Sequence, residues 1–421
     1  MMNRTVTSAR WRTGLVVACA GGLVLGVSLR AQDWTGWRGP NRDGIVAVAG
    51  PSAWPEALRS GWSVTVGEGY SNPLFAEGRI FQFARQGDSE VAMAIDPANG
   101  AILWRQAYPA SEFEPVSAAA RHGKGPFSTP MYDEGLLYTF GATGVLSAFD
   151  AATGRVAWRQ SPEADFKSPW VMFGNAMSPI VSDGLVVALI GTNEDGAIAA
   201  YDARSGAPQW MWRGDGPAYS SPVVVSLDGV RQVVVFTEHY LVGLVLESGE
   251  LLWQRDYPAR SGMNIPTPLL LAQGQTILAG TAEGTYAVRV THTNDRWATE
   301  ETWENGDITL RFSTPVQKDN FLFGFTNRNS GAFFALDARN GRTLWMSDPR
   351  QGDNATILLV GDHLLMLKDD GELIVAEATA VDFEPVRRYQ VSDRATYAHP
   401  LLLSNGVVVK DTTTLSLLTW E

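Results

Sequence analysis

The chain repeats one short unit, and that unit restricts the fold more than any other feature. It reads Asp96, Gly100, Trp104; Asp150, Gly154, Trp158; Asp202, Gly206, Trp210; Val245, Gly249, Trp253; and Asp337, Gly341, Trp345. Gly stands four residues before Trp in all five, and Asp four before Gly in all but the Val245 unit. An Asp carboxylate can close an Asx turn by accepting hydrogen bonds from N–H groups just ahead of it. Gly supplies the positive φ that such a corner needs. Apolar alternation on both sides makes the flanks strands. The repetition therefore assigns Asp96, Asp150, Asp202 and Asp337 to turns rather than to catalysis. Units of this period bury their apolar faces only by stacking on their neighbours.

A second mark precedes each unit: Ser71-Asn-Pro73, Ser128-Thr-Pro130, Met177-Ser-Pro179, Ser220-Ser-Pro222, Pro266-Thr-Pro268, Ser313-Thr-Pro315 and Ala398-His-Pro400. Two more strand-like runs lie between mark and turn, so each repeat holds four short strands, the size of a propeller blade. The unit ending at Trp303 is degenerate, with Thr291-His-Thr-Asn294 where the turn belongs, and a seventh, weaker repeat runs from Asn354 to Tyr389. The chain ends after a third strand of the last repeat, while Ser60–Val66, with Trp62, looks like the missing outer strand. The predicted fold is all-β: an eight-bladed β-propeller of four-stranded antiparallel blades, the last closed by the N-terminal strand, which leaves no free edge. The tryptophans Trp62, Trp104, Trp158, Trp210, Trp253, Trp303 and Trp345 are expected in the core. Each would bury on the order of 200 Å² against the next blade.

The first residues carry Arg4, Arg10 and Arg12 and no acid, followed by an apolar run from Thr13 to Leu29 and a small residue, Ala31. That order predicts a signal peptide over 1–31, an N-terminal extension over 32–60 and the propeller over 61–421. Such a chain is exported, periplasmic or extracellular. It would touch a membrane only through an uncleaved signal or a lipid on Cys19, its one cysteine. A disulfide framework and a Cys-based zinc site are excluded. The net charge of −12 is opposed to a phosphate backbone, so nucleic acid is not an expected partner.

The repeats resemble the PQQ-type, or tryptophan-docking, propeller repeat over nearly all of the chain beyond residue 31. Asp33-Trp-Thr-Gly-Trp37-Arg-Gly-Pro-Asn-Arg-Asp-Gly44 resembles the opening of exported bacterial PQQ-like propellers, which share the fold of the outer-membrane assembly lipoprotein BamB family. That resemblance implies a binding scaffold without catalytic residues. A more distant resemblance, to quinoprotein alcohol dehydrogenases, implies an oxidoreductase using PQQ with calcium. This chain lacks the vicinal Cys-Cys usual in those enzymes, and no calcium-binding Glu, Asn and Asp set can be placed in it. No cofactor is expected on this reading.

His122, His239, His292, His363 and His399 show no helical metal spacing, and no nucleophile elbow or phosphate loop occurs. The informative irregularity is loop length. Excursions at 109–126 and 161–175 join the outer strand of one blade to the inner strand of the next, and so emerge on one face. The first carries Arg121, His122, Lys124 and Phe127; the second carries Phe166, Lys167, Trp170, Phe173 and Asn175, an aromatic run expected to be exposed. Arg328 and the acidic triplet Asn193-Glu-Asp195 belong to loops that reach the same face; the triplet could suggest a cation site but is expected to be a solvated turn. Aromatic and arginine side chains are the usual anchors of protein interfaces. The expected function is a non-catalytic envelope scaffold binding a protein partner through this face, with the quinoprotein oxidoreductase or a small-ligand or carbohydrate-binding propeller as alternatives.

Overall fold

The computed structural model describes residues 1–2, 33–48, 50–111, 113–117, 120–161, 166, 173–259 and 263–420. The expected signal peptide lies outside them but for its first two residues. So do Lys167 and Trp170.

Eight four-stranded antiparallel blades follow one another along the chain, the seventh extended by one short parallel strand. Blade 1 is Leu74–Ala76, Arg79–Gln86, Ser89–Ile95 and Ile102–Pro109. Blades 2 to 7 occupy 131–160, 180–212, 223–256, 269–305, 316–346 and 355–390. Blade 8 combines 401–403, 406–410 and 414–419 with Arg59–Thr65, which pairs antiparallel with the last strand, Val64 opposite Leu415. The predicted propeller start at 61 thus falls inside this closing strand. Middle strands such as Arg79–Gln86 are buried along their length because a blade covers each side. Outer strands such as Ile102–Pro109 expose most alternate residues.

The Asp turns form by the mechanism their residues suggest. Asp96, Asp150, Asp202 and Asp337 each accept a backbone N–H with Oδ1, at 2.7–3.0 Å. The Gly of each turn is the floor on which the preceding blade's Trp rests. At Gly341, with φ of 70°, an added Cβ would stand 2.3 Å from the Trp303 ring. The indole N–H then donates to a carbonyl of that next blade. Trp62 reaches Pro97, Trp104 Ala151, Trp158 Ala203, Trp210 Leu246, Trp303 Ala338 and Trp345 Thr379, all at 2.8–3.0 Å.

Blade 5 departs from the pattern. Its outer hairpin is lengthened to Thr285–Thr293 and Arg296–Asn305 and turns at Asn294-Asp295, both at positive φ (52° and 58°). Two consecutive left-handed residues are the signature of a type I′ hairpin.

The Pro marks also have a structural reason. Their middle residues pass hydrogen bonds around the axis from blade to blade. His399 N–H donates to Asn72 Oδ1, Asn72 N–H to Thr129 Oγ1, Thr129 N–H to Ser178 Oγ, Ser178 N–H to Ser221 Oγ and Thr267 N–H to Thr314 Oγ1. The mark is thus a belt around the channel.

The N-terminal extension closes that channel. Trp34 exchanges both backbone hydrogen bonds with Phe75 of blade 1, and Thr35 accepts from Tyr132 of blade 2. Trp37 Nε1 donates to Thr267 of blade 5, and its ring lies 4.8 Å from His399 of blade 8. Ile45–Val46 pairs in parallel with the inner strand of blade 7. Arg38 and Arg42 are buried at 0% and 2% exposure. Arg38 donates to Thr314 and Pro315 of blade 6, and Arg42 to Ser178 and Pro179 of blade 3 and Pro222 of blade 4. The segment 34–46 therefore contacts all eight blades, entering from the face of the Asp turns. It also needs its glycines: at Gly39, φ is 85° and a Cβ would stand 2.6 Å from the Trp34 ring.

Candidate functional site

With the plug on the turn face, the opposite face is left to the long loops. Residues 120–122 form a single 3-10 turn in the second half of the first excursion. Arg121 is exposed there, and its Nε–H points at His122 Nε2, 3.0 Å away. Burial, reinforced by the Arg121 charge, holds His122 below the usual histidine range. The imidazole lies edge-on to Tyr70 at 6.2 Å and to Tyr397 at 5.6 Å. Tyr70 meets Tyr397 at 4.6 Å and Phe127 at 5.9 Å. Three chain segments thus meet in one half-buried aromatic cluster. Burial and the neighbouring Tyr397 and Glu68 push the Tyr70 phenol up to about 12, so it stays a neutral hydrogen-bonding group.

Lys124 is spent within its own loop, in an ion pair with Glu114. The second excursion differs from its expected exposed run wherever it is described. Phe166 is buried, and the Arg213 guanidinium covers its ring at 4.6 Å. Asn175 is fully buried and bonds the Ala142 carbonyl through its backbone N–H. Phe173 is half-buried against Tyr219 at 5.8 Å. The two excursions meet: a Cβ at Gly174 would stand 3.0 Å from the Phe113 ring. The aromatic residues fold inward because the loops must cover their own blade ends. Arg328 is exposed on the same face but apart from this cluster. It donates to Gly306 and lines a cleft of about 380 Å³ between blades 5 and 6.

Neither a motif nor loop length marks Tyr70 or Tyr397. A signal for them exists. An aromatic residue stands immediately before the Pro mark in five repeats: Tyr70, Phe127, Tyr219, Phe312 and Tyr397. The belt sets equivalent residues at equivalent places, so these five rim the channel mouth. Their exposure varies from 7% for Tyr219 to 40% for Phe312.

A family model described as outer membrane protein assembly factor BamB matches residues 87–347, more than half of the chain. The chain belongs to this family. The BamB of Yersinia pestis is 26% identical over 74% of the chain and 68% of its own length. Among solved structures, BamB from Moraxella catarrhalis superposes with a TM-score of 0.58 at 15% identity, covering 86% of the chain and all of its own. The quinohemoprotein alcohol dehydrogenase ADHIIG of Pseudomonas putida superposes at 0.66 with 14% identity, covering 93% and 80%. At such identities the structural likenesses speak for the fold alone. Family membership and topology agree: the BamB family propeller is what the repeats build.

Proposed function

We propose that this chain is an exported, non-catalytic scaffold of outer-membrane protein assembly that binds an envelope protein through its long-loop face. The observation that carries this reading is the aromatic rim on a plugged, rigid ring. Large side chains with two rotatable bonds sit in a fixed frame, flanked by Arg121 and Arg328, the composition of interface anchors. The names of the BamB relatives supply the assembly setting.

The quinoprotein alternative lacks support at the axis. Calcium sites are built from oxygen ligands, with carboxylates supplying the charge and carbonyls completing the shell. The belt instead offers hydroxyl, amide and imidazole groups, with two guanidinium ions close beneath. Burial lowers Arg38 to about 10 and Arg42 to about 9, so both keep their charge at neutral pH. These residues do not fit a calcium–quinone pair.

Photo-crosslinking in the native envelope tests the proposal, with probes at Arg121 and Phe312 and a control at Ala152 on the turn face. Discrete adducts to an outer-membrane assembly protein from the first two positions alone would support it. Equal labelling from both faces, or none from either, would sink it.

A further inference from the structure

The connection from blade 3 to blade 4 carries Asp215, and the turn between the second and third strands of blade 4 carries Glu238 and His239. Glu238 N–H donates to the Gly216 carbonyl at 3.0 Å, which ties the two segments together. The Asp215 carboxylate, 8% exposed, accepts His239 N–H at Oδ2 (2.7 Å) and faces His239 Nδ1 through Oδ1 at 2.9 Å. One ligand atom from each of the three residues lies within 4.8 Å of the others. Glu194 and Asp195 line the same open cleft of about 610 Å³, against the single guanidinium of Arg213.

We propose that Asp215, Glu238 and His239 form a site for a first-row divalent metal ion of the zinc or manganese class. The donor set decides the class. Calcium and magnesium take oxygen ligands, whereas an imidazole nitrogen beside two carboxylates suits a borderline first-row ion. Ligands about 2.0–2.2 Å from a shared ion stand at most about 4.4 Å apart. The 2.9 Å Nδ1–Oδ1 separation already fits two ligands at a right angle, and the third, within 4.8 Å of both, comes in by a side-chain rotation of Glu238 that moves its carboxylate by about an ångström. The ion replaces the proton shared by Nδ1 and Oδ1. It also relieves the crowding of four carboxylates. Three protein ligands leave coordination positions open to solvent or to a donor from outside the chain. The site is independent of the partner reading, since it needs only this chain.

The test is titration of the chelator-treated, purified protein with Zn²⁺, Mn²⁺ and Ca²⁺ by calorimetry, alongside metal analysis after equilibrium dialysis. One equivalent of Zn²⁺ or Mn²⁺ is expected, with a rise in melting temperature. His239→Ala and Asp215→Asn are each expected to weaken binding about 10–100-fold, while His292→Ala leaves it unchanged. His239 is half-exposed and Asp215→Asn keeps an acceptor for the His239 N–H, so both variants fold; an unaltered circular dichroism spectrum verifies this. No stoichiometric binding would overturn the proposal. So would equal binding by the variants, or binding of Ca²⁺ alone.

Discussion

Trp253 Nε1–H donates to Gln232 Oε1 at 2.7 Å, inside its own blade. Six other repeat tryptophans donate to the next blade instead. The cause lies in blade 5, whose type I′ hairpin replaces the Asp–Gly turn that a tryptophan rests on. Gln232 stands in for the lost carbonyl, so the buried indole keeps its partner. Trp253→Phe should therefore leave the blade 4–5 interface in place and orphan Gln232. A loss of about 1–3 kcal/mol in urea unfolding is expected. Restoration by the double variant Trp253→Phe, Gln232→Leu checks the assignment; no recovery would refute it.

The plug makes the axis a stability determinant. Arg42→Met removes the donors to Ser178, Pro179 and Pro222 while keeping much of the side-chain volume. Each buried acceptor left without a donor costs about 1–3 kcal/mol, so the variant should lose about 3 kcal/mol or more. Lys at the same position should recover part of this. A change below about 0.5 kcal/mol would show that the guanidinium is not what seals the channel.

Two glycines separate backbone strain from steric contact. Gly229 has φ of 78° with nothing within 4 Å of an added Cβ, so Gly229→Ala should cost about 1–2 kcal/mol. Gly341 has a similar φ but faces the Trp303 ring. Gly341→Ala should cost a further 1–3 kcal/mol, about the penalty of overpacking. Equal losses would mean that the Trp rings are free to move aside.

His399 makes stability depend on pH. Burial, aided by the Arg38 charge, pulls its imidazole down to about 3 in the folded chain, against 6.5 for an ordinary histidine. Between these values the unfolded chain binds the additional proton. Stability is complete above 6.5 and falls as pH drops toward 3. From pH 6.5 to 5 the His399 contribution to that loss should be about 1.5–2 kcal/mol. His399→Asn, which copies Asn72 at the equivalent place in blade 1, should flatten that slope. An unchanged slope would exclude His399 as its source.

The rim separates binding from folding. Phe312 is exposed, so Phe312→Ala should change stability by less than about 0.5 kcal/mol. Loss of an interface anchor should nevertheless weaken partner binding about tenfold. Surface-immobilised partner and a dilution series would measure it, and undiminished binding would remove Phe312 from the contact.

What the sequence determined by itself was everything written in local physics. Asp at the turn, Gly four residues on and Trp four after that act within one repeat or between adjacent ones. Their recurrence is enough to read the blades, their closure by Ser60–Val66 and the defect at blade 5. Tertiary structure alone decided the plug and the site. Arg38 and Arg42 stand in a segment with no periodicity, and nothing in their neighbourhood marks them for burial. Their carbonyl partners lie 136 to 277 residues away and exist as a set only once the ring has closed. The same holds for Tyr70 with Tyr397 and for Asp215 with His239. Ring closure joins the first pair across nearly the full chain, and the stagger of strand and loop joins the second. The inward packing of Phe166 and Asn175 has the same origin: a loop's apolar residues turn toward whatever blade end it must cover, and only the assembled ring says where that is.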